Sequence, residues 1–255
     1  MGAPVKKLLN FFERFHEACK GKKHHHKLID IMQEVLVCDN EDEVFAVYPM
    51  ILNQVKFAFD FLENNTRQNA ESLEKVRSHM ENCVNQSRAS LYKTLSENNQ
   101  DPKKYPIYLD HNIFELFKSF ANGLPDEEED IAKEDVNNLI KEIEDLKNSL
   151  TYKKIIFGDK LYLQNLLKRI ILTLRNYDKF SLSDELIGDS LSLFYNVSTN
   201  DELNKDSNFF DKAKNICGKI FNKVKPDKVR LELNFNSMGV IGSKISLDWK
   251  NKDDN

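Results

Sequence analysis

Residues 42–63 read DEVFAVYPMILNQVKFAFDFLE, and this stretch decides the fold class. Val44, Phe45, Val47, Tyr48, Ile51, Leu52, Val55, Phe57, Phe59 and Phe61 place apolar side chains on nearly every side of a helix. A helix that is apolar all round belongs inside other helices. The chain must therefore supply enough amphipathic partners to surround it. Cys38-Asp39-Asn40-Glu41-Asp42, just before it, reads as a loop ending in an N-cap.

Those partners lie on both sides. Upstream, residues 4–20 carry Val5, Leu8, Leu9, Phe12, Phe15 and Cys19 three and four apart, the spacing of one helical face. Residues 27–37 repeat the pattern with Leu28, Ile31, Met32, Val35 and Leu36. Downstream, 66–96 is a long polar helix with a thin stripe of Leu73, Val76, Met80, Cys83, Val84, Ser87, Leu91 and Leu95. A stripe that narrow suits a coiled-coil seam or a flanking helix. Further helices are expected over 109–122, 128–150, 160–176, 182–195 and 200–223, nine in all. The polar, proline-bounded stretch 99–106 is the best linker. It divides the chain into an N-terminal helical bundle, 1–98, and a C-terminal helical subdomain, 107–255.

The helical period ends near Pro226. Val229, Leu231, Leu233 and Phe235 alternate strictly, as do Ile241, Ile245, Leu247 and Trp249, around a turn at 236–239. That is an antiparallel β-hairpin over 228–249. A lone hairpin is marginal in water, so it must lie on the helices or pair with another chain. The expected fold is mainly α, a multi-helix bundle closed by this hairpin.

Composition narrows the function classes. In 255 residues there are eight Gly and six Pro, too few for a loop-rich or all-β protein. The formal charge of −4 gives no bulk electrostatic reason to expect nucleic acid or a membrane surface as the partner. No apolar run approaches the roughly 18 residues of a membrane span. The start, Met1-Gly2, lacks the Ser or Thr at position 6 of a myristoylation signal. With no signal peptide and four scattered cysteines, Cys19, Cys38, Cys83 and Cys217, an intracellular protein with reduced thiols is expected. No cofactor motif is visible.

Three constellations could carry chemistry. His16 with Cys19 and His79 with Cys83 are pairs at i,i+3 and i,i+4, and two Cys with two His suit tetrahedral zinc. That reading requires the first and fourth helices to touch, and buried hydrophobic cysteines are the plainer alternative. Lys20, Lys22, Lys23, His24, His25, His26 and Lys27 form one basic connector suited to an anion, more strongly once its histidines charge below about pH 6.5. His26 and Asp30, at i,i+4, could share a metal ion.

The third is Tyr105-Pro106-Ile107-Tyr108-Leu109-Asp110-His111-Asn112-Ile113-Phe114. This run resembles the opening of PIN-like ribonucleases, in which a short strand ends in a metal-binding Asp followed by Asn and a helix. The resemblance implies Asp110 as a magnesium ligand and Asn112 as its positioning partner. The same Asp110 can instead cap the helix that follows.

No other catalytic motif appears. The expected function is that of an interaction or regulatory protein that binds a protein partner or itself. Its candidate interfaces are the hairpin residues Val229, Leu231, Leu233, Phe235, Ile245, Leu247 and Trp249 and the narrow-striped helices 66–96 and 128–150. A PIN-like ribonuclease and a zinc-stabilised scaffold are the alternatives.

Overall fold

A computed structural model describes residues 3–20, 22, 25–95, 110–124, 132–177, 179–180 and 182–224, with the short segments 231–233 and 245–247. The described part is mainly helical and contains ten helices. They are α1 (Ala3–Lys20), α2 (Leu28–Leu36), α3 (Glu41–Asn65), α4 (Ala70–Ala89), α5 (His111–Asn122), α6 (Lys133–Leu150), α7 (Phe157–Arg175), α8 (Ser183–Thr199), α9 (Asp201–Lys205) and α10 (Ser207–Val224).

α3 is the centre of the first group of helices, packing against α1, α2 and α4. Asn40 starts it, its side-chain oxygen accepting from the Glu43 N–H at 3.0 Å, while Glu43 accepts from the Asp39 N–H at 2.9 Å. This reciprocal pairing satisfies backbone donors that a helix N-terminus leaves open. Val44, Val47, Tyr48, Ile51, Val55, Ala58, Phe59 and Leu62 are fully buried. The helix is not buried all round, however: Asn53, Lys56 and Phe57 face solvent. Its neighbours cover a broad face and leave a polar strip. α5 packs on α1 and α4, and its Phe117 ring lies 5.8 Å from that of Phe59. Thus α5, which follows the expected linker at 99–106, packs with the N-terminal helices; the linker itself lies outside the described residues.

The second group is α6 to α10. α7 packs between α6 and α8, and α10 lies against α6, α8 and α9. The apolar stripe of α6 (Leu139, Ile143, Leu146, Leu150) is buried, and Lys219 of α10 pairs with Glu142 at 2.5 Å above it.

Of the helix boundaries that differ from expectation, two have a clear local reason. The helix expected over 200–223 is broken at Asp206, whose carboxylate accepts from the Phe209 N–H at 3.1 Å and so starts α10 afresh. A short side-chain acceptor that bonds nearby backbone competes with helix continuation. The helix expected to run to 96 stops at Ala89. Beyond it the chain turns back, and the Leu95 N–H donates to His26 O while Leu28 and Ile29 donate to Lys93 O and Leu91 O. Pairing with the entry of α2 has replaced the last helical turns.

Of the hairpin expected over 228–249, the structure describes β1 (Leu231–Leu233) and β2 (Ile245–Leu247), antiparallel with Leu231 opposite Leu247. Its turn and side chains, and any contact with the helices, lie outside the described residues.

The two helix groups meet where α7 ends. Phe180 is fully buried, with its ring 5.1 Å from Phe11 of α1. Truncation there leaves a cavity that neither group can close alone. Phe180→Ala is expected to lower stability by about 3–5 kcal/mol, read by denaturant unfolding. A loss under about 1 kcal/mol would mean that the contact is dispensable.

Candidate functional site

Each residue singled out in the sequence has a definite place, except those outside the described residues. The basic connector between α1 and α2 is partly neutralised. Lys20 donates to Glu17 at 2.7 Å and Lys22 to Glu34 at 2.5 Å. The Lys20 hydrogen bond holds the Glu17 carboxyl below its ordinary value. His25 and His26 stack, ring centroids 4.7 Å apart, and Lys27 bridges to Thr94. Lys23 and His24 lie outside the described residues. With two lysines committed to glutamates, the connector presents less free positive charge than its sequence promises.

The four candidate zinc ligands do not converge. Cys19 and Cys83 point into the core, whereas His79 is exposed and its Nδ1 lies 2.8 Å from Lys75 O. Among the described residues no three His, Cys, Asp or Glu side chains are grouped to hold a metal ion, His26 and Asp30 included. Burial pushes the thiols of Cys19, Cys38, Cys83 and Cys217 up to about 12. In the metal-free chain they are thiols, not thiolates, and therefore poor nucleophiles.

Asp110 caps α5. Its Oδ1 accepts from the N–H groups of Asn112 at 2.9 Å and Ile113 at 3.2 Å. Asn112 contributes its backbone to this turn, and among the described residues no cluster of carboxylates gathers around it.

The narrow-striped helices are also spoken for. Leu73, Val76, Met80, Cys83 and Val84 of α4 are buried, and the helix packs on α3 and α5. The α6 stripe is buried, and α6 packs on α7 and α10. Both seams close inside this chain, so neither is an open interface.

One surface was not anticipated. At the corner joining α6 to α7, Tyr152 is 86 % exposed, Ile156 75 %, Phe157 77 % and Leu161 47 %. Other exposed apolar side chains are scattered. Tyr92, for example, donates to Glu41 at 2.9 Å.

The base of the corner is well anchored. Lys153 pairs with Asp206 and lies 5.6 Å from the centre of the Phe209 ring. Asn200 donates to Asp159 at 3.2 Å, and Lys160 donates to Thr151 O at 3.0 Å. The Lys153 hydrogen bond, with a further one from the Phe209 N–H, holds the Asp206 carboxyl below its usual value.

A signal for this surface exists in the sequence. Leu163, Leu166, Leu167, Ile170 and Leu174 already give α7 a complete buried face. Phe157, Leu161 and Tyr162 are surplus to it, on the side that should be polar.

Comparison with known proteins finds no matching family model, no matching curated protein and no matching solved structure.

Two outcomes follow from this geometry. Asp110→Ala is expected to cost about 1 kcal/mol through loss of the cap, and treatment with a chelator to leave the melting temperature unchanged. A fall of several degrees on chelation would restore the zinc scaffold. The second concerns acid. Because Asp206 has a depressed folded-state pKa, the stability it contributes is present above the unfolded value and lost as pH falls through the folded one. Lys153→Met should therefore lower the melting temperature most above about pH 5, with the gap closing below about pH 4. A pH-independent gap would mean that Lys153 acts through packing alone.

Proposed function

We propose that this chain is a helical interaction protein, not an enzyme, and that the α6–α7 corner is a contact surface for a macromolecular partner or a second copy. The observation that carries this reading is the exposure of Ile156, Phe157 and Leu161 on an anchored base. Covering these three side chains would release about 3–6 kcal/mol, scaling full burial of each by its present exposure. That amount is a sizeable part of a whole domain's stability, and folding leaves it unused. Large exposed apolar groups of this kind are a mark of interaction sites.

The terminal hairpin is a second candidate surface. Its support is the alternation of Val229, Leu231, Leu233 and Phe235 against Ile245, Leu247 and Trp249, and the free edges such a ribbon offers to another strand.

The double variant Ile156→Ser/Phe157→Ser tests it. Both side chains face solvent, so the fold and melting temperature should be retained. A photocrosslinker placed at Tyr152 should give a discrete adduct, either a dimer of this chain or a product with one other protein, and the double variant should give none. Persistence of the adduct in the variant, or monomeric behaviour by light scattering with neither an adduct nor binding to lipid vesicles, would overturn the proposal.

A further inference from the structure

We infer that the α6–α7 corner docks on an anionic lipid bilayer. The inference rests on the reading of the corner as a contact surface and names what it contacts. The shape comes first. Tyr152, Ile156 and Phe157 are at least three-quarters exposed, so they stand out from the surface and do not line a groove. A Cβ added at Gly158, beside them, would meet nothing within 4 Å. A protruding apolar tip needs a soft apolar medium or a deep partner pocket. A bilayer accepts it without any matching shape.

Charge then selects the bilayer's composition. Between Leu146 and Ile170 the chain carries Lys147, Lys153, Lys154, Lys160, Lys168 and Arg169 against Asp159 alone. Lys153 and Arg169 are committed to Asp206 and Asp189. Lys147, Lys154, Lys160 and Lys168 remain, and none of these four makes an ion pair among the described residues. Asp145, two residues before Lys147, and Asp201 and Glu202, beside Asn200, are the further opposing carboxylates, so the excess of basic side chains is confined to residues 147–169. The whole-chain charge of −4 conceals this local excess.

The placement along α7 fits an interfacial segment. Phe157, Leu161 and Lys168 recur at one helical face, apolar at the corner and basic two turns further on. Tyr152 and Tyr162 flank the apolar tip, and tyrosine favours the depth of the headgroups. Lysines there attract anionic lipid within a Debye length. Their stems can lie along the apolar zone while the ammonium groups stay in the headgroups. The N-terminal basic connector lacks this pairing of charge with exposed apolar side chains.

The experiment is sedimentation of the full chain with phosphatidylcholine vesicles, with and without phosphatidylserine. Binding is expected to the phosphatidylserine vesicles and to weaken as salt is raised. Ile156→Ser/Phe157→Ser should lower the partition coefficient by about tenfold or more. Lys154→Gln/Lys160→Gln should weaken binding and flatten its salt dependence. Absence of binding to phosphatidylserine vesicles, or binding that both double variants leave intact, overturns the lipid proposal. If vesicles fail while a crosslinker at Tyr152 still captures one protein, the lipid proposal falls and the contact-surface reading stands. If vesicles and crosslinker both fail, both readings fall.

Discussion

The junction at the C-terminal end of α7 holds the two helix groups in one fold. Arg175, mostly buried, reaches Asp39 at 2.6 Å, Glu43 at 3.7 Å and Glu144 at 3.7 Å. Its guanidinium thus spans the entry to α3, α6 and its own helix, and one cation answers three carboxylates. A few residues on, Phe180 meets Phe11, and Lys7 donates to Tyr177 O at 3.3 Å while lying over that ring. Asn53 of α3 reaches Glu185 of α8 at 3.3 Å. An isolated surface ion pair contributes little. This one is different because it sits beside an apolar contact and shares several partners. Its removal would leave Asp39, Glu43 and Glu144 without the cation they share.

That junction also explains the role of the corner. α7 has one end tied into the contact between the groups and its other end at Phe157, where it emerges from α6. The core side of α7 is filled by Leu163, Leu166, Leu167, Ile170 and Leu174. Its first two turns then have no core left to meet, so Phe157 and Leu161 project outward. Lys153–Asp206 and Asp159–Asn200 fix the base of this projection to the elements beyond α8. An apolar tip on a rigid base is pre-organised for contact, because little side-chain and backbone freedom remains to be lost on binding.

Much of the fold was legible in the sequence, and for a clear reason. Period-3.6 burial is a local property: Val5, Leu8, Phe12, Phe15 and Cys19 lie on one face whatever that face meets. The Asn40 cap was equally readable, since its donors and acceptors lie within three residues. The break at Asp206 was not, because the same side chain could cap a helix or sit exposed within one. The candidate chemistry fared differently. The Asp110 cap was available as a reading beside the nuclease resemblance, and hydrogen-bond geometry decides between them. The zinc set required α1 and α4 to bring His79 inward with Cys83, and no spacing within one helix settles that.

The amino-acid sequence by itself determined that this protein is mainly amphipathic helices and that residues 42–63 are central to those beside them, because apolar periodicity and caps act over a few residues. Only the tertiary structure decided which apolar faces are satisfied. The stripes of α4 and α6, which looked open, are closed by α3 and α5 and by α7 and α10. The apolar residues at 156, 157 and 161 are left exposed. Burial depends on what packs opposite, and that is set by the arrangement of all ten helices, not by any one of them.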